Sequence, residues 1–344
     1  MVDDVKVFLK AVLGPAYGLL GSFYRILFPF FDSSNLHWVF LASSVAIALV
    51  VYLTKSDSAG KPSLQRVRLF LMPPSIYGHP SAVLDYQFYV VNSFVLAHLR
   101  LGTWIGAIAG LFYVAAGTRH ALVALLGPES ATDASPSIVA RFVFTLLMVV
   151  GIDLGKFAAH YLQHRVPVLW EFHKIHHAAA VLTPITAYRI HPVDFVLEQF
   201  LMALLTGAVS GAFSYWSPGG ITELTLLNIS VIYFLYLLSA NLRHSHIALP
   251  FGRRTSYVLS SPLMHQIHHS AEVRHVDKNF ALVFSLWDYL VGTLYIPRSA
   301  EEFRLGLSPN TGGRFDSLWA LYVDPFIAAF ERIRSPTRSS AGTG

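Results

Sequence analysis

The sequence predicts an all-α, polytopic membrane helical bundle of four to six spans, and three observations predict it. Of 344 residues, 54% are hydrophobic and only 13% are charged, against about 25% charge in an ordinary globular domain. Mean hydropathy is +0.50. Apolar runs long enough to cross or nearly cross a bilayer, which takes about 20 residues, recur along the chain between segments rich in Pro, Gly and Ser.

Taken in order, Asp3, Asp4, Lys6 and Lys10 precede a stretch broken by Gly14, Pro15 and Gly18. It lacks the short uninterrupted core and small-residue cleavage site of a signal peptide, so residues 8–31 read as an interfacial or re-entrant helix. Spans are expected near 36–53, 83–98, 102–117, 137–153, 194–215 and 223–241, with loops at 56–63, 72–81 and 127–137. From Ile138 a long apolar helix runs on to His164, and Pro167 then starts a new segment. The stretch His191–Trp216 re-enters the membrane, Ser217-Pro218-Gly219-Gly220 makes a tight turn, and 223–241 returns. The tail beyond Pro336, rich in Ser, Thr and Gly, is expected to be disordered.

The net charge of +5 comes from basic residues scattered at the ends of apolar segments. That pattern suits anionic lipid headgroups and gives no reason to expect a nucleic acid partner. Lys156, Arg165, Lys174 and Arg189 fall in 154–193 and Arg243, Arg253, Arg254, Arg274 and Lys278 in 242–280, while 215–224 holds no Lys or Arg. By the positive-inside rule both basic regions face the cytoplasm. Lys55, Lys61, Arg66 and Arg68 suggest another cytoplasmic loop, which two full spans between 83 and 117 would contradict, so one of those two is expected to be re-entrant.

Nine of the 16 histidines form one pattern. His160 and His164 are an i,i+4 pair on one helix face. His173-x-x-His176-His177 is repeated in form as His265-x-x-His268-His269, and His244 stands between the two arrays. Imidazoles bunched in this way call for a cation to share. No Cys occurs, which excludes thiolate haem, iron–sulfur clusters, cysteine zinc sites and disulfides. Imidazole suits zinc, copper, iron and nickel alike, but eight to ten nitrogens exceed the four ligands of a tetrahedral zinc. A dinuclear centre is the economical reading. Asp153 is placed to orient an imidazole as a carboxylate acceptor or to lie deeper against Lys156. Asp194 and Glu198 are either gate or proton-relay groups at membrane depth or, for Asp194, the dipole-stabilised first turn of a helix. His275 reads as a solvated or entrance residue, and Trp170, Trp287 and Tyr289 as interfacial belt aromatics. His37, His79, His98 and His120 read as snorkelling or hydrogen-bonded side chains.

Asp153-x6-His160-x3-His164, the run Arg165 to His177, Arg189-Ile190-His191-Pro192, Arg243-His244-Ser245-His246, Ser261-Pro262-x2-His265-x2-His268-His269-Ser270, and Asn279-Phe280 followed by Leu286-Trp287-Asp288 resemble the fatty acid hydroxylase and sterol desaturase superfamily of membrane histidine-rich di-iron enzymes. The likeness covers roughly residues 80 to 300 and is similar in particular to bacterial sterol desaturase-like members. It implies a four-helix-like membrane core capped by a cytosolic helical lobe with two irons, O2 as co-substrate, and a lipid substrate that is hydroxylated or desaturated. The ligand set it implies is His160, His164, His173, His176, His177, His244, His265, His268 and His269. Where some relatives carry one more ligand, a turn before His244, this chain has Ala240 beside Asn241. His191 and His246 compete for that place. The expected division is 1–135 as membrane and interfacial scaffold helices, 136–300 as the hydroxylase-like catalytic domain, and 301–344 as an amphipathic segment and tail. Electrons are expected from a separate reductase, ferredoxin or b-type cytochrome, at a bacterial inner membrane with the metals facing the cytoplasm.

Two other classes fit less well. A metal carrier or sensor would place ligands near the bilayer midplane, as broken-helix transporters do, whereas these arrays lie in Lys- and Arg-flanked segments outside the apolar runs. An intramembrane metalloprotease needs H-E-x-x-H, and here His173 is followed by Lys174 and His265 by Gln266.

Overall fold

A computed structural model describes residues 36–55, 63–129, 135–297, 301–307 and 315–334. The expected helix at 8–31 and the tail beyond Pro336 lie outside these residues. The described chain is mostly helical. In order come α1 (Trp38–Lys55), α2 (Leu64–Leu71), α3 (Pro74–Tyr77), α4 (Pro80–Leu126), α5 (Ile138–Arg165), α6 (Pro167–His177), α7 (Pro192–Trp216), α8 (Val231–Ala240), α9 (Pro262–His268), α10 (Leu286–Val291), α11 (Leu318–Tyr322) and α12 (Asp324–Arg334), with short 3-10 turns at Pro184–Tyr188, Asn241–His244, Thr255–Tyr257 and Val273–His275.

Among the described residues two helices, α5 and α7, are long and apolar enough to cross a membrane. Ser137 caps α5 by accepting from the Ala140 N–H, and Pro167, which cannot continue a helix, opens α6. The two spans expected at 83–98 and 102–117 are instead one continuous helix, α4, of 47 residues. Only the polar step at His98 and Arg100 separates the two runs, and Gly102 just after it costs a helix about 1 kcal/mol without ending it. The run expected at 223–241 also differs. Its first part is a tight antiparallel hairpin pairing Thr225 with Ser230 and Leu226 with Ile229, and only Val231–Ala240 is helical.

Helix α7 lies between α4 and α5 and packs along both. Small residues set the approach: a Cβ on Gly155 of α5 would lie 2.8 Å from Met202 Cα of α7, and one on Gly211 of α7 would collide with the Ala115 carbonyl of α4. Such backbone-to-backbone contact is how apolar helices adhere where lipid removes the hydrophobic drive. Their other faces expose Phe142, Val143 and Leu147 on α5 and Val196 and Phe200 on α7. At the far end of α5 the shorter segments α6, α9 and the 3-10 turn Asn241–His244 gather into a buried polar layer. Helix α12 covers α6 from outside through Arg332 Nε to Glu171 Oε1 at 2.9 Å. Leu321 of α11 fills the space against Ile175, Leu84 and Phe88.

Candidate metal centre

All nine predicted histidines meet in that layer, and they sort into two groups. His160, His164, His173, His177 and His268 bring one ring nitrogen each within 4.8 Å of one another, and His176, His244, His265 and His269 do the same. The four chain segments that supply them are local helical pieces. The i,i+4 step on α5 presents His160 and His164 on one face. Ser261 caps α9 and Pro262 occupies its first turn, so His265 and His268 project from a helix whose start is fixed.

Within each group the inner nitrogens are spaced as the edge of a coordination polyhedron. The Nε2 pairs are His160–His268 at 2.9 Å, His164–His177 at 3.1 Å, His244–His265 at 3.0 Å, His265–His269 at 3.2 Å and His176–His244 at 3.3 Å. Nitrogens about 2.1 Å from one cation, at right or tetrahedral angles, stand about 3.0–3.4 Å apart.

The outer nitrogens show how a cation would suit these contacts. Nδ1 of His160 lies 2.7 Å from the Phe280 carbonyl, and Nδ1 of His268 lies 2.7 Å from the Lys278 carbonyl. A carbonyl only accepts, so both Nδ1 atoms carry the proton and both neutral rings turn a bare Nε2 lone pair toward the other. Burial, reinforced by neighbouring imidazoles, holds His173, His177, His244, His268 and His269 well below the ordinary imidazole range, and His176 at about 3. Protonation therefore does not relieve the facing lone pairs. Nε2 of His173 is likewise buried with no partner, while its Nδ1 meets Asp194 at 3.3 Å. The donor set fits a pair of cations.

The second layer of contacts departs from expectation. Asp153 touches neither an imidazole nor Lys156. Its carboxylate accepts from the Val283 N–H at 2.8 Å, the Phe284 N–H at 2.9 Å and the Trp287 indole at 2.9 Å, and so fixes the loop that carries the Phe280 carbonyl. Asp288 holds the same loop from the other side through the Phe280 and Ala281 N–H groups. The imidazole carboxylates are Asp194, on His173, and Asp277, 3.4 Å from His164 Nδ1. Asp277 and Asn279 both have positive φ, 57° and 59°, a strained turn for residues with a Cβ that aims Lys278's carbonyl at His268. Arg243 Nη2 stands 2.8 Å from His265 Nδ1, a donor where its neighbours meet acceptors.

His191 and His246 lie outside both groups. His191 caps α7 by accepting the Val193 N–H at 3.2 Å, with Nε2 against the Tyr322 carbonyl, and His246 Nε2 meets the Phe70 carbonyl at 2.6 Å. His79, also followed by Pro, caps α4 in the same way, so the His-Pro dipeptide was a capping signal. His275 is not solvated: it is fully buried between Ser270 Oγ at 2.8 Å and Glu301 Oε1 at 3.0 Å. Trp287 is tied to Asp153, and the Trp170 ring packs 4.9 Å from that of His164, so neither is merely a belt aromatic.

Known proteins resemble this chain over the segment that holds the histidines. Residues 145–293 match the family model for fatty acid hydroxylase. An ornithine lipid hydroxylase of Rhizobium tropici is 27% identical over 170 residues, 49% of this chain and 47% of the relative. An alkylglycerol monooxygenase of Danio rerio is 25% identical over 167 residues, 48% of this chain and 33% of the relative. A very-long-chain aldehyde decarbonylase of Oryza sativa subsp. indica is 31% identical over 162 residues, 44% of this chain and 23% of the relative. The chain thus spans less than half the length of these three relatives, and no solved structure matches it. The match to the fatty acid hydroxylase family thus falls on the segment from 145 to 293, which holds all nine clustered histidines.

Proposed function

We propose that this chain is an oxygen-dependent lipid hydroxylase or desaturase that holds two irons, one in each histidine group, and acts on an acyl, sterol or related isoprenoid chain. The observation that carries the reading is the facing pair of bare Nε2 atoms on His160 and His268, 2.9 Å apart with both Nδ1 atoms committed to carbonyls. Iron when bound supplies the redox chemistry that unactivated C–H bonds demand and that no side-chain acid, base or nucleophile provides. The chain's own part is to hold the imidazoles in place and to fix the tautomers of five of the nine, those of His176, His268, His160, His173 and His164, through the carbonyls of Arg189, Lys278 and Phe280 and the carboxylates of Asp194 and Asp277. In hydroxylation one C–H becomes C–OH and the second oxygen atom leaves as water; in desaturation two hydrogens leave and both oxygen atoms become water. Either outcome takes two electrons and two protons, the electrons from a separate reductase, ferredoxin or b-type cytochrome.

The relatives named as lipid hydroxylase and monooxygenase support this reading. The burial of seven of the nine histidines favours a resident metal over a carrier that must exchange it. The setting we propose is a bundle of four to six spans in a bacterial inner membrane. A helical lobe carries the metals on the cytoplasmic side, as the Lys and Arg distribution suggests. Residues 1–135 serve as scaffold, 136–300 as the catalytic domain and 301–344 as the outer segment. The test is metal analysis beside lipid profiling. The purified protein is expected to hold close to two irons per chain, and His173→Ala or His268→Ala is expected to abolish oxygen-dependent lipid modification while membrane insertion persists. Full turnover by His268→Ala overturns the proposal.

A further inference from the structure

One turn deeper in the bundle than the five-histidine group lies an ion pair that the metal centre does not use. Lys156 Nζ on α5 stands 3.0 Å from Glu198 Oε2 on α7. Lys156 precedes His160 by four residues, and Glu198 follows Asp194, the partner of His173 Nδ1, by four. On both helices the same step of about 6 Å therefore leads from the metal-facing residue to the pair. The two side chains are 28% and 15% exposed, neither sealed nor on the surface, and α8, which carries Tyr233 and Tyr236, packs against α5. The pair thus lies between α5 and α7, partly open to the outside of the bundle.

Charged groups inside apolar helices are costly and are kept where they pair or serve a ligand. Holding α5 to α7 is not what this pair is needed for, because Gly155, the neighbouring residue, already brings the α5 backbone against Met202. Resting on the reading of the site as a lipid-oxidising centre, we infer that Lys156 and Glu198, with Tyr233 and Tyr236, bind the polar group of an amphiphilic lipid. The substrate is a lipid whose oxidised carbon lies close to a hydroxyl, ether, ester or amide, and not a long chain oxidised in its middle. Lys156 donates to an oxygen of that group and Glu198 accepts from a hydroxyl or amide N–H, while the adjoining carbons fall beneath His160.

The experiment compares lipid extracts from cells carrying the wild-type protein, His268→Ala, Lys156→Met and Glu198→Gln, with the position of the new oxygen or double bond read by tandem mass spectrometry. Lipids made by wild type and missing with His268→Ala define the product. If the two extracts are identical, the functional reading itself fails. If a product is present, modification within about six carbons of a heteroatom-bearing group is expected, and modification farther along the chain overturns the subsite while leaving the reading intact. Lys156→Met and Glu198→Gln are each expected to lower product at least about tenfold with the iron content of the purified proteins unchanged. Lys156→Arg is expected to recover most of it. Unchanged product in both charge-removing variants also overturns the proposal.

Discussion

Asp153→Ala tests a heavily bonded carboxylate that braces the histidine layer. Asp153 is 1% exposed and accepts from two backbone N–H groups and one indole. Its removal leaves one buried and two half-buried donors without a partner, each costing about 1–3 kcal/mol. Local relaxation favours the lower end, so the expected loss is about 3–5 kcal/mol. At about 2–4 °C per kcal/mol for a domain of this size, the melting temperature in detergent, followed by tryptophan fluorescence, falls by about 6–20 °C. Asp153→Asn keeps one acceptor oxygen and is expected to lose roughly half as much. Bound iron falls as well, because the freed loop carries the Phe280 carbonyl that fixes His160. A melting temperature within about 2 °C of wild type, with metal content intact, refutes the reasoning.

Two further outcomes follow from packing and protonation. Leu321→Ala opens a cavity beneath Ile175, which sits between His173 and His176, and is expected to cost about 2–5 kcal/mol in chemical denaturation and to weaken iron retention; an unchanged midpoint contradicts that packing. His191 is pushed down to about 4 by burial, against the opposing pull of its bond to the Tyr322 carbonyl. Its unfolded value is about 6.5, so the folded state binds fewer protons between the two. The stability it contributes is therefore full above pH 6.5 and lost as pH falls toward 4, about 3 kcal/mol at most. His191→Asn keeps a capping acceptor without titrating, and its stability curve across that window is expected to be less steep than wild type by one proton; equal slopes contradict the assignment.

The nine clustered histidines were legible because helical spacing puts His160 with His164 and repeats one array in another. Their division was not. His176 and His177 are adjacent in sequence, and spacing alone does not say that they turn to different groups. The groups that orient the rings were equally hidden, because Asp277, Lys278 and Phe280 reach α5 and α9 through a strained turn whose positive φ values fall on Asp and Asn. Asp153 was noticed for its helical phase with His160, yet its partners lie about 130 residues away in the loop at 283–287. Hydropathy found α5 and α7 but split α4, since a window average treats the polar step at His98 and Arg100 as an end, and the backbone does not.

The adjacency of His176 with His177 and of His268 with His269 places each dipeptide astride the two groups. Successive Cα atoms are about 3.8 Å apart across a trans peptide, so the separation of the two sites is set by covalent geometry at two points, independently of how the surrounding helices breathe. A shift of α6 or α9 carries both sites together, and neither can be widened or emptied without pulling on its neighbour. The two histidine groups are thus tied to each other at two dipeptides, and a single-residue insertion in either is expected to disturb both.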